Sequence, residues 1–195
     1  MVCILRDTGA LRDGHFVYSN GLHSNEYLQV ALAMRYYQHA KTFSVGLSRL
    51  LRANSEIRAA IPELSIVAPA TGGLPVAYGV CEALQAKRVY WAEKGQGGDA
   101  LRFRQFIEPQ PGEQVVIVDD LLRSGSRATE LKALLESYGA VVMALAVVIY
   151  QPNPRTADFG ALPLVHLTRL EASYYTDGSS CVMCRNAQSF EKVWV

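Results

Sequence analysis

Two adjacent carboxylates lie in the segment of this chain that is best suited to chemistry. Asp119 and Asp120 follow an apolar run at residues 115–118 and precede a small-residue turn at 124–126, which leads into a helical pattern at 128–135. In open α/β sheets, ligands bind beyond the carboxyl ends of the strands, and the free N–H groups of a helix N-terminus suit a phosphate. The segment predicts a ribose-phosphate site. The competing interpretation is a pair that only caps the helix.

A second candidate follows another predicted strand, at residues 64–68. There Thr71 precedes the paired glycines Gly72 and Gly73, which permit a close approach of the backbone to an oxyanion. A plain tight turn explains these residues equally well.

A third candidate follows the predicted strand at residues 88–92. Residues 93–100 are polar and rich in glycine, which predicts a mobile loop, and Arg102 and Arg104 come directly after it. A loop with basic flanks could close over an anion and exclude water. A solvated hairpin tip is the simpler interpretation.

Strands alternate with helices along the chain, and this predicts a parallel, right-handed α/β sheet. Further strands are predicted at residues 141–149 and 164–167, and a helix begins near Pro75. A helix at residues 37–52, closed by Asn54, has an apolar face formed by Phe43, Leu47, Leu50 and Leu51. Residues 1–35 and the tail after Thr168 fit the alternation less well, so they are expected to form a separate flap.

Composition sets the class of protein. The 195 residues suit one well-buried domain; 50% are hydrophobic, 19% are charged, and the net charge is +1. Nothing in this balance indicates nucleic acid or an acidic membrane as a partner. The apolar runs are shorter than a membrane span and no signal-peptide pattern is visible, so a cytoplasmic setting is expected.

Four cysteines have different surroundings in the sequence. Cys3 and Cys81 have apolar neighbours and are predicted to be buried thiols. Cys181 and Cys184 form a single C-x-x-C pair, which supplies only two metal ligands, and no second pair or nearby histidine completes a zinc site. A structural turn is therefore favoured over a metal or redox function.

Several segments occur together and in order across nearly the whole chain: residues 14–29, 68–73, 92–94 with 101–102, 115–127, and 158–160, 163–165 and 181–184. They resemble the base-binding hood, pyrophosphate loop, catalytic loop, signature and C-terminal segment of the type I phosphoribosyltransferases, specifically the bacterial orotate phosphoribosyltransferases. The resemblance implies one domain over residues 1–195, with a Rossmann-like parallel sheet and a small hood built from residues 1–35 and the C-terminal tail.

The implied reaction transfers ribose 5-phosphate from phosphoribosyl pyrophosphate (PRPP) to a ring nitrogen of a base, orotate in the first instance, and releases pyrophosphate. Such a displacement passes through an oxocarbenium-like state, so the site acts by electrostatics and positioning. The resemblance also implies Mg²⁺, held mainly by the oxygens of the ligand and by water rather than by protein side chains alone. Family members are typically dimers, so a homodimer is expected.

The resemblance also assigns roles to residues. Asp119 and Asp120 would hold the ribose hydroxyls and stabilise developing positive charge, while Lys94 with Arg102 or Arg104 would neutralise the leaving group. The residues expected to bind PRPP are Thr71, Gly72, Gly73, Asp119, Asp120, Arg123, Ser124, Gly125, Ser126 and Arg127. Those expected to contact the base are Ser19, Tyr27, Leu28, Arg123 and Gln151.

The chain departs from the family pattern in the turn and after the next strand. Where the family usually has Thr-Thr-Gly-Gly before Ser or Thr, residues 123–127 read Arg-Ser-Gly-Ser-Arg, so a side chain stands where the backbone approaches a phosphate. Where the family has Asp-Arg to pair with orotate, this chain has Tyr150 and Gln151, which removes a charge-assisted anchor. Arg123 or Arg155 could restore that charge.

Two hypotheses from different classes follow. The intact Asp119–Asp120 pair and the hood favour an active phosphoribosyltransferase, acting on orotate or on another base. The altered turn, the missing arginine and Asp99, which stands where the mobile loop often has a basic residue, favour a weakened relative that binds nucleotide or PRPP as a regulator.

Overall fold

The core of the protein is a six-stranded sheet, seen here in a computed structural model that describes residues 1–95 and 99–193. Its strands are β3 (Ser65–Pro69), β4 (Arg88–Lys94), β5 (Leu101–Arg102), β6 (Gln114–Leu122), β7 (Val141–Tyr150) and β8 (Leu164–Arg169). The spatial order is β5-β4-β3-β6-β7-β8, and all neighbours run parallel except β4 and β5. The predicted parallel sheet is confirmed.

Helices cover both faces of this sheet. The helices of the described residues are α1 (Val2–Asp7), α2 (Ala31–Met34), α3 (Tyr37–Ala53), α4 (Ser55–Ala60), α5 (Gly73–Leu84), α6 (Ser126–Ser137) and α7 (Val182–Arg185), and α3, α5 and α6 pack on the sheet. Val116 and Val118 of β6 pack in one core with α3 and α5, whereas Val115 and Ile117 pack in the other with α6. Burial on both faces explains why these strands are continuous apolar runs rather than alternating ones.

The two ends of the described chain form a second, four-stranded sheet, the hood. Its strands are β1 (Leu11–Tyr18), β2 (His23–Leu28), β9 (Tyr174–Tyr175) and β10 (Glu191–Val193), in the order β10-β1-β2-β9. β10 runs parallel to β1, and the other pairs are antiparallel. The core of the hood is small and consists of Phe16, Tyr18, Leu22 and Val193. The predicted flap is therefore a sheet.

Helix α3 confirms the predicted helix at residues 37–52. Asn54 ends it and also caps α4, because its Oδ1 accepts hydrogen bonds from the N–H groups of Glu56 (2.9 Å) and Ile57 (3.1 Å). Leu50 was expected on the apolar face, and this was wrong, because its side chain is 43% exposed. The described helices include none with the length and apolar character that a membrane span requires.

Two further expectations are corrected. β6 extends to Leu122 instead of ending at residue 118, so the acidic pair lies within the strand. Cys3 is exposed, because the short helix α1 buries only Leu5, and the prediction of a buried thiol there was wrong. Cys81 is half-buried, and burial raises the pKa of its thiol.

Candidate active site

A cavity of about 1120 Å³ lies between the hood and the carboxyl ends of the core strands. It is lined from three directions: by the turn after β3, by β6 with the start of α6, and by aromatic side chains of the hood. The side chains and backbone that matter below are Tyr18, Thr71, Gly72, Asp119, Asp120, Arg123, Ser124, Gly125, Ser126, Arg127 and Tyr174.

Asp119 and Asp120 supply the negative charge of the cavity. Asp119 is in register with Val147 of β7, and its Oδ1 accepts a hydrogen bond from the N–H of Asp120 at 2.9 Å. Burial and then the charge of Asp120 raise the pKa of Asp119 well above its ordinary value, and burial raises the pKa of Asp120 as well. The charge of Arg127 opposes both shifts. A desolvated acidic pair favours a positively charged or hydroxyl-rich ligand at this point.

The paired glycines after β3 are needed because this turn passes directly over the carboxylates. A Cβ on Gly72 would lie 3.0 Å from Oδ1 of Asp120, and a Cβ on Gly73 would lie 3.1 Å from Oδ1 of Asp119. Thr71 is exposed at the rim of the cavity. The turn therefore presents backbone to the cavity, as the glycine pair predicted.

The turn before α6 presents hydroxyl and N–H donors to the cavity. Gly125 has φ +76°, and a Cβ there would lie 2.8 Å from the ring of Phe159, so this position requires glycine. The hydroxyls of Ser124 and Ser126 lie 3.1 Å apart, and the side chain of Ser126 is exposed rather than crowded. Beside them are the first-turn N–H groups of α6, of which that of Ser126 donates weakly to Oγ of Ser124 at 3.4 Å, and the cationic Arg127, a combination that suits a phosphate.

Arg123 connects the core sheet with the hood. Its Nε donates to Oε1 of Gln151 at 3.0 Å, and its Nη2 donates to the carbonyl oxygen of Leu28 at 2.8 Å. Gln151 is fully buried, and its Nε2 donates to Glu26 at 3.4 Å. The guanidinium also lies 5.4 Å from the centre of the Tyr18 ring. The cavity thus holds a fixed positive group beside the end of β7.

Comparisons with known proteins agree with this geometry. A family model described as a phosphoribosyl transferase domain matches residues 49–160. The orotate phosphoribosyltransferase of Thermotoga maritima is 32% identical over 189 residues, which cover 97% of this chain and 94% of that protein. The chain belongs to the phosphoribosyltransferase family. It is therefore a pentosyltransferase enzyme. The orotate phosphoribosyltransferase of Thermus thermophilus is 27% identical, and the match covers 97% of both proteins.

Solved structures share the fold of this phosphoribosyltransferase. The crystal structure of orotate phosphoribosyltransferase from Aeropyrum pernix matches with a TM-score of 0.67 at 24% identity, covering 86% of this chain and 92% of that one. Adenine phosphoribosyltransferase from Thermoanaerobacter pseudethanolicus matches with a TM-score of 0.62 at 16% identity, covering 74% and 88%. The predicted type I phosphoribosyltransferase fold is confirmed.

Two tyrosines of the hood line the cavity of this phosphoribosyltransferase, and neither was predicted as a site residue. Burial raises the pKa of Tyr174 to about 12, and its buried hydroxyl has no hydrogen-bond partner in residues 1–95 and 99–193. Tyr18 donates to the carbonyl oxygen of Glu26 at 3.4 Å. Tyr18 belongs to the hood motif, but Tyr174 comes from the tail, where only its pairing with Ser24 brings it to the cavity.

The basic residues of the predicted catalytic loop stand beside the cavity rather than lining it. Nζ of Lys94 lies 4.0 Å from a carboxylate oxygen of Glu130, which does line the cavity. Arg104 is paired with Glu93 at 2.6 Å, and Arg102 is exposed on β5. Residues 96–98 of the predicted mobile loop lie outside the described residues. The roles of Lys94 and Arg102 in this phosphoribosyltransferase stay predictions.

The residues predicted to contact the base divide into two groups. Arg123 lines the cavity, and Leu28 and Gln151 are joined to it by the hydrogen bonds described above. The structure does not bring Ser19 and Tyr27 to the cavity lining. Ser19 is exposed in the turn after β1, and the ring of Tyr27 packs against the core of the hood.

The expectation that no histidine lies near Cys181 and Cys184 was wrong. Strands β1 and β2 bring His15 and His23 against this pair, and the potential ligand atoms of the four side chains all lie within 4.8 Å of one another. Sequence spacing conceals the cluster, because 161 positions separate His23 from Cys184.

Proposed function

We propose that this phosphoribosyltransferase transfers the ribose 5-phosphate of PRPP to orotate, giving orotidine 5′-monophosphate and pyrophosphate, with Mg²⁺, as a cytoplasmic homodimer. The observation that carries the proposal is the meeting of the Asp119–Asp120 pair and the serine turn before α6 in one cavity. Relatives named orotate phosphoribosyltransferase, similar over nearly the whole chain, support orotate as the base.

The acidic pair acts on the ribose. The ionised carboxylates of Asp119 and Asp120 accept hydrogen bonds from ribose hydroxyls and face the sugar ring. The bond from the anomeric carbon to pyrophosphate breaks and its electron pair leaves with pyrophosphate. A ring nitrogen of the base forms the new bond to that carbon and loses its proton to water. Fixed negative charge beside the ring stabilises the positive charge that develops between these events.

The two phosphate-binding turns divide the rest of PRPP between them. Ser124, Ser126 and the first N–H groups of α6 suit the 5-phosphate, and the Thr71–Gly73 backbone suits the pyrophosphate. The cavity offers hard oxygen donors in the adjacent carboxylates of Asp119 and Asp120 and, further along its wall, in Glu130. This set fits a Mg²⁺ ion that takes most of its ligands from phosphate oxygens and water, and the bound ion would neutralise charge on the leaving group.

Arg123 is the residue best suited to recognise the carboxylate of orotate. Its Nε and Nη2 are held by Gln151 and Leu28, and its charge lies close enough to the hydroxyl of Tyr174 to oppose the rise in the pKa of that tyrosine. The guanidinium therefore has a fixed direction inside the cavity. We infer that Arg123 supplies from β6 the positive charge that the family pattern places after β7, with Tyr18 and Tyr174 as neighbours of the base.

A pyrophosphate-release assay with PRPP, Mg²⁺ and a panel of bases tests the function. We expect turnover with orotate and at least tenfold lower kcat/KM with neutral pyrimidines and purines. Turnover with a neutral base and none with orotate would contradict the substrate alone. Binding of PRPP without turnover on any base would contradict the enzyme and favour the regulator.

Exposed aromatic side chains on α3 and α5 support the homodimer. Tyr37 is 69% exposed and Tyr78 is 56% exposed, on helices that pack against each other where Ser44 meets Gly79. Size-exclusion chromatography with light scattering should give twice the mass of one chain, and Tyr78→Glu should shift the protein towards the monomer. A monomeric wild-type protein would contradict the dimer.

A further inference from the structure

Four side chains with metal-binding atoms meet in the hood, away from the acidic pair. His15 lies on β1, His23 opens β2, and Cys181 and Cys184 frame α7. His15 is 3% exposed, His23 8% and Cys181 0%, while Cys184 is half-buried. The cluster therefore joins the N-terminal and C-terminal parts of the chain at a point that is largely closed to solvent.

Of the six distances between these atoms, four are close to the edges of a tetrahedron around a metal ion, and all six are within 4.8 Å. Nε2 of His15 lies 3.0 Å from Nδ1 of His23, 3.5 Å from Sγ of Cys181 and 3.6 Å from Sγ of Cys184. Sγ of Cys184 lies 3.5 Å from Nδ1 of His23. Bonds of about 2.0–2.1 Å to nitrogen and about 2.3 Å to sulfur place tetrahedral ligand atoms roughly 3.3–3.8 Å apart.

Hydrogen bonding alone does not explain this convergence. Nδ1 of His15 lies 3.1 Å from the carbonyl oxygen of Gln188, so it carries the proton and donates it there. Nε2 of His15 then has one lone pair, yet Cys181, Cys184 and His23 all point potential donors at it. A cation between the four atoms would remove this competition of three donors for one lone pair, because each of the four atoms would then bind the cation. A backbone partner on the second ring nitrogen is also typical of histidine ligands.

We propose that His15, His23, Cys181 and Cys184 bind one Zn²⁺ ion that holds the hood together. Two thiolates and two imidazoles are a preferred donor set for zinc, and four protein ligands complete its tetrahedron without an open position. The ion is therefore structural rather than catalytic. Within residues 1–95 and 99–193, the hood has four side chains in its own buried core, and so small a unit typically needs a crosslink or a metal.

The proposed zinc site lies next to a turn that forms part of the cavity wall. His23 directly follows Leu22, and the turn between β1 and β2 carries Tyr18, Asn20 and Leu22 to the cavity wall. This turn is closed by a hydrogen bond from the N–H of Tyr18 to the carbonyl oxygen of Leu22 at 2.8 Å. Zinc at His15 and His23 would hold both strands that flank the turn.

Metal analysis of the reduced, full-length protein tests the site. Protein purified from zinc-containing medium without chelator should hold about one zinc per chain by mass spectrometry, and so should Cys3→Ser, whose exposed thiol makes it the matched control. Cys181→Ser and Cys184→Ser should retain less than about a tenth of that zinc. Cobalt added to the metal-free wild-type protein should give the visible bands of a tetrahedral thiolate complex. These readouts do not depend on the base or on turnover.

Stability measurements separate a structural ion from a weak surface site. Removal of zinc by a chelator should lower the thermal midpoint by on the order of 5–10 °C, and Zn²⁺ but not Mg²⁺ should restore it. Folded, reduced wild-type protein that binds neither zinc nor cobalt would overturn the proposal. A Cys181–Cys184 disulfide that persists in protein kept reduced and supplied with zinc, seen as a 2 Da loss of intact mass, would also overturn it.

Discussion

At the scale of single residues, the acidic pair combines a cost to the fold with a role in the reaction. The carboxylates of Asp119 and Asp120 are desolvated beside each other, which costs free energy of folding. Buried acidic pairs of this kind are typical of sites that bind a ligand. Within the protein, the positive charge of Arg127 opposes the rise in the pKa of Asp119. On the proposed function, sugar hydroxyls and Mg²⁺ would stabilise the two carboxylates further when substrate binds.

Replacement of one carboxylate should therefore slow the reaction. Asp120→Asn should lower kcat by on the order of 10²–10³-fold, because the positive charge of the transition state loses a fixed partner. Steady-state pyrophosphate release measures this, and Asp7→Asn, at the end of α1, is the control with unchanged kcat. An Asp120→Asn enzyme with wild-type kcat would show that the pair has no electrostatic role.

The same pair should make stability depend on pH. A carboxyl group whose pKa is raised in the folded protein binds its proton more tightly there than in the unfolded chain, so stability falls as pH rises above the unfolded value of about 3.9. Asp119→Asn removes the ionisable group, and with it this fall in stability at higher pH. Urea unfolding should find the variant more stable than wild type at pH 7, by on the order of 1 kcal/mol or more, with a smaller difference at pH 4. An equal difference at both values would contradict the raised pKa.

Arg123 should determine how well the base binds. Arg123→Lys keeps the charge but loses the planar fork held by Gln151 and Leu28, so kcat/KM for orotate should fall about 10–100-fold, while KM for PRPP changes little. Arg155→Lys, also on the cavity wall, is the matched control. A larger loss in the control would assign the carboxylate of orotate to Arg155.

At the scale of elements, tight turns at the ends of the core strands position the candidate site residues. The turn before α6 depends on Gly125, which combines a left-handed backbone with contact against Phe159. The packing of this segment is reinforced from residues beyond β7, since Thr156 donates to the carbonyl oxygen of Arg123 at 2.6 Å. The turn before α6 is thus held from both sides.

Substitution of this glycine should be costly beyond its backbone strain. Gly125→Ala should destabilise the protein by about 2–4 kcal/mol, since the new Cβ meets the Phe159 ring at 2.8 Å, and KM for PRPP should rise. Gly112→Ala has a similar positive φ but open space, so denaturant unfolding should show only about 1–2 kcal/mol of loss. Equal losses in the two variants would show that the contact with Phe159 is unimportant.

At the scale of the whole molecule, the active site is a junction of three parts of the chain. PRPP with Mg²⁺ should therefore stabilise the entire fold, raising the thermal midpoint by roughly 5–10 °C at about a hundred times Kd. A thermal-shift titration checks this, with Mg²⁺ alone and ribose 5-phosphate as comparisons. No shift with PRPP, or an equal shift with Mg²⁺ alone, would contradict a shared site.

The parts of this molecule that local sequence determines were predictable. The sheet, α3 and the acidic pair follow from apolar periodicity and from the residues that end each element. Tyr174 and the cluster around His15 could not be predicted, because they depend on strand pairings such as β2 with β9, which short-range patterns do not encode. Exposure at a helix surface, as for Leu50, likewise depends on which neighbours cover each helix.

The parallel pairing of β10 with β1 has a consequence for how the enzyme is made on the ribosome. The ion pair of Arg12 with Glu191 joins residues 179 positions apart. At roughly 5–20 residues per second, translation needs about 10–35 s to supply the second partner after the first has emerged. Late in that interval the nascent chain has the turns after β3 and before α6 but no finished hood. On the proposed function, a product truncated before β10 would bind PRPP without a complete pocket for the base, and it would sequester substrate rather than consume it.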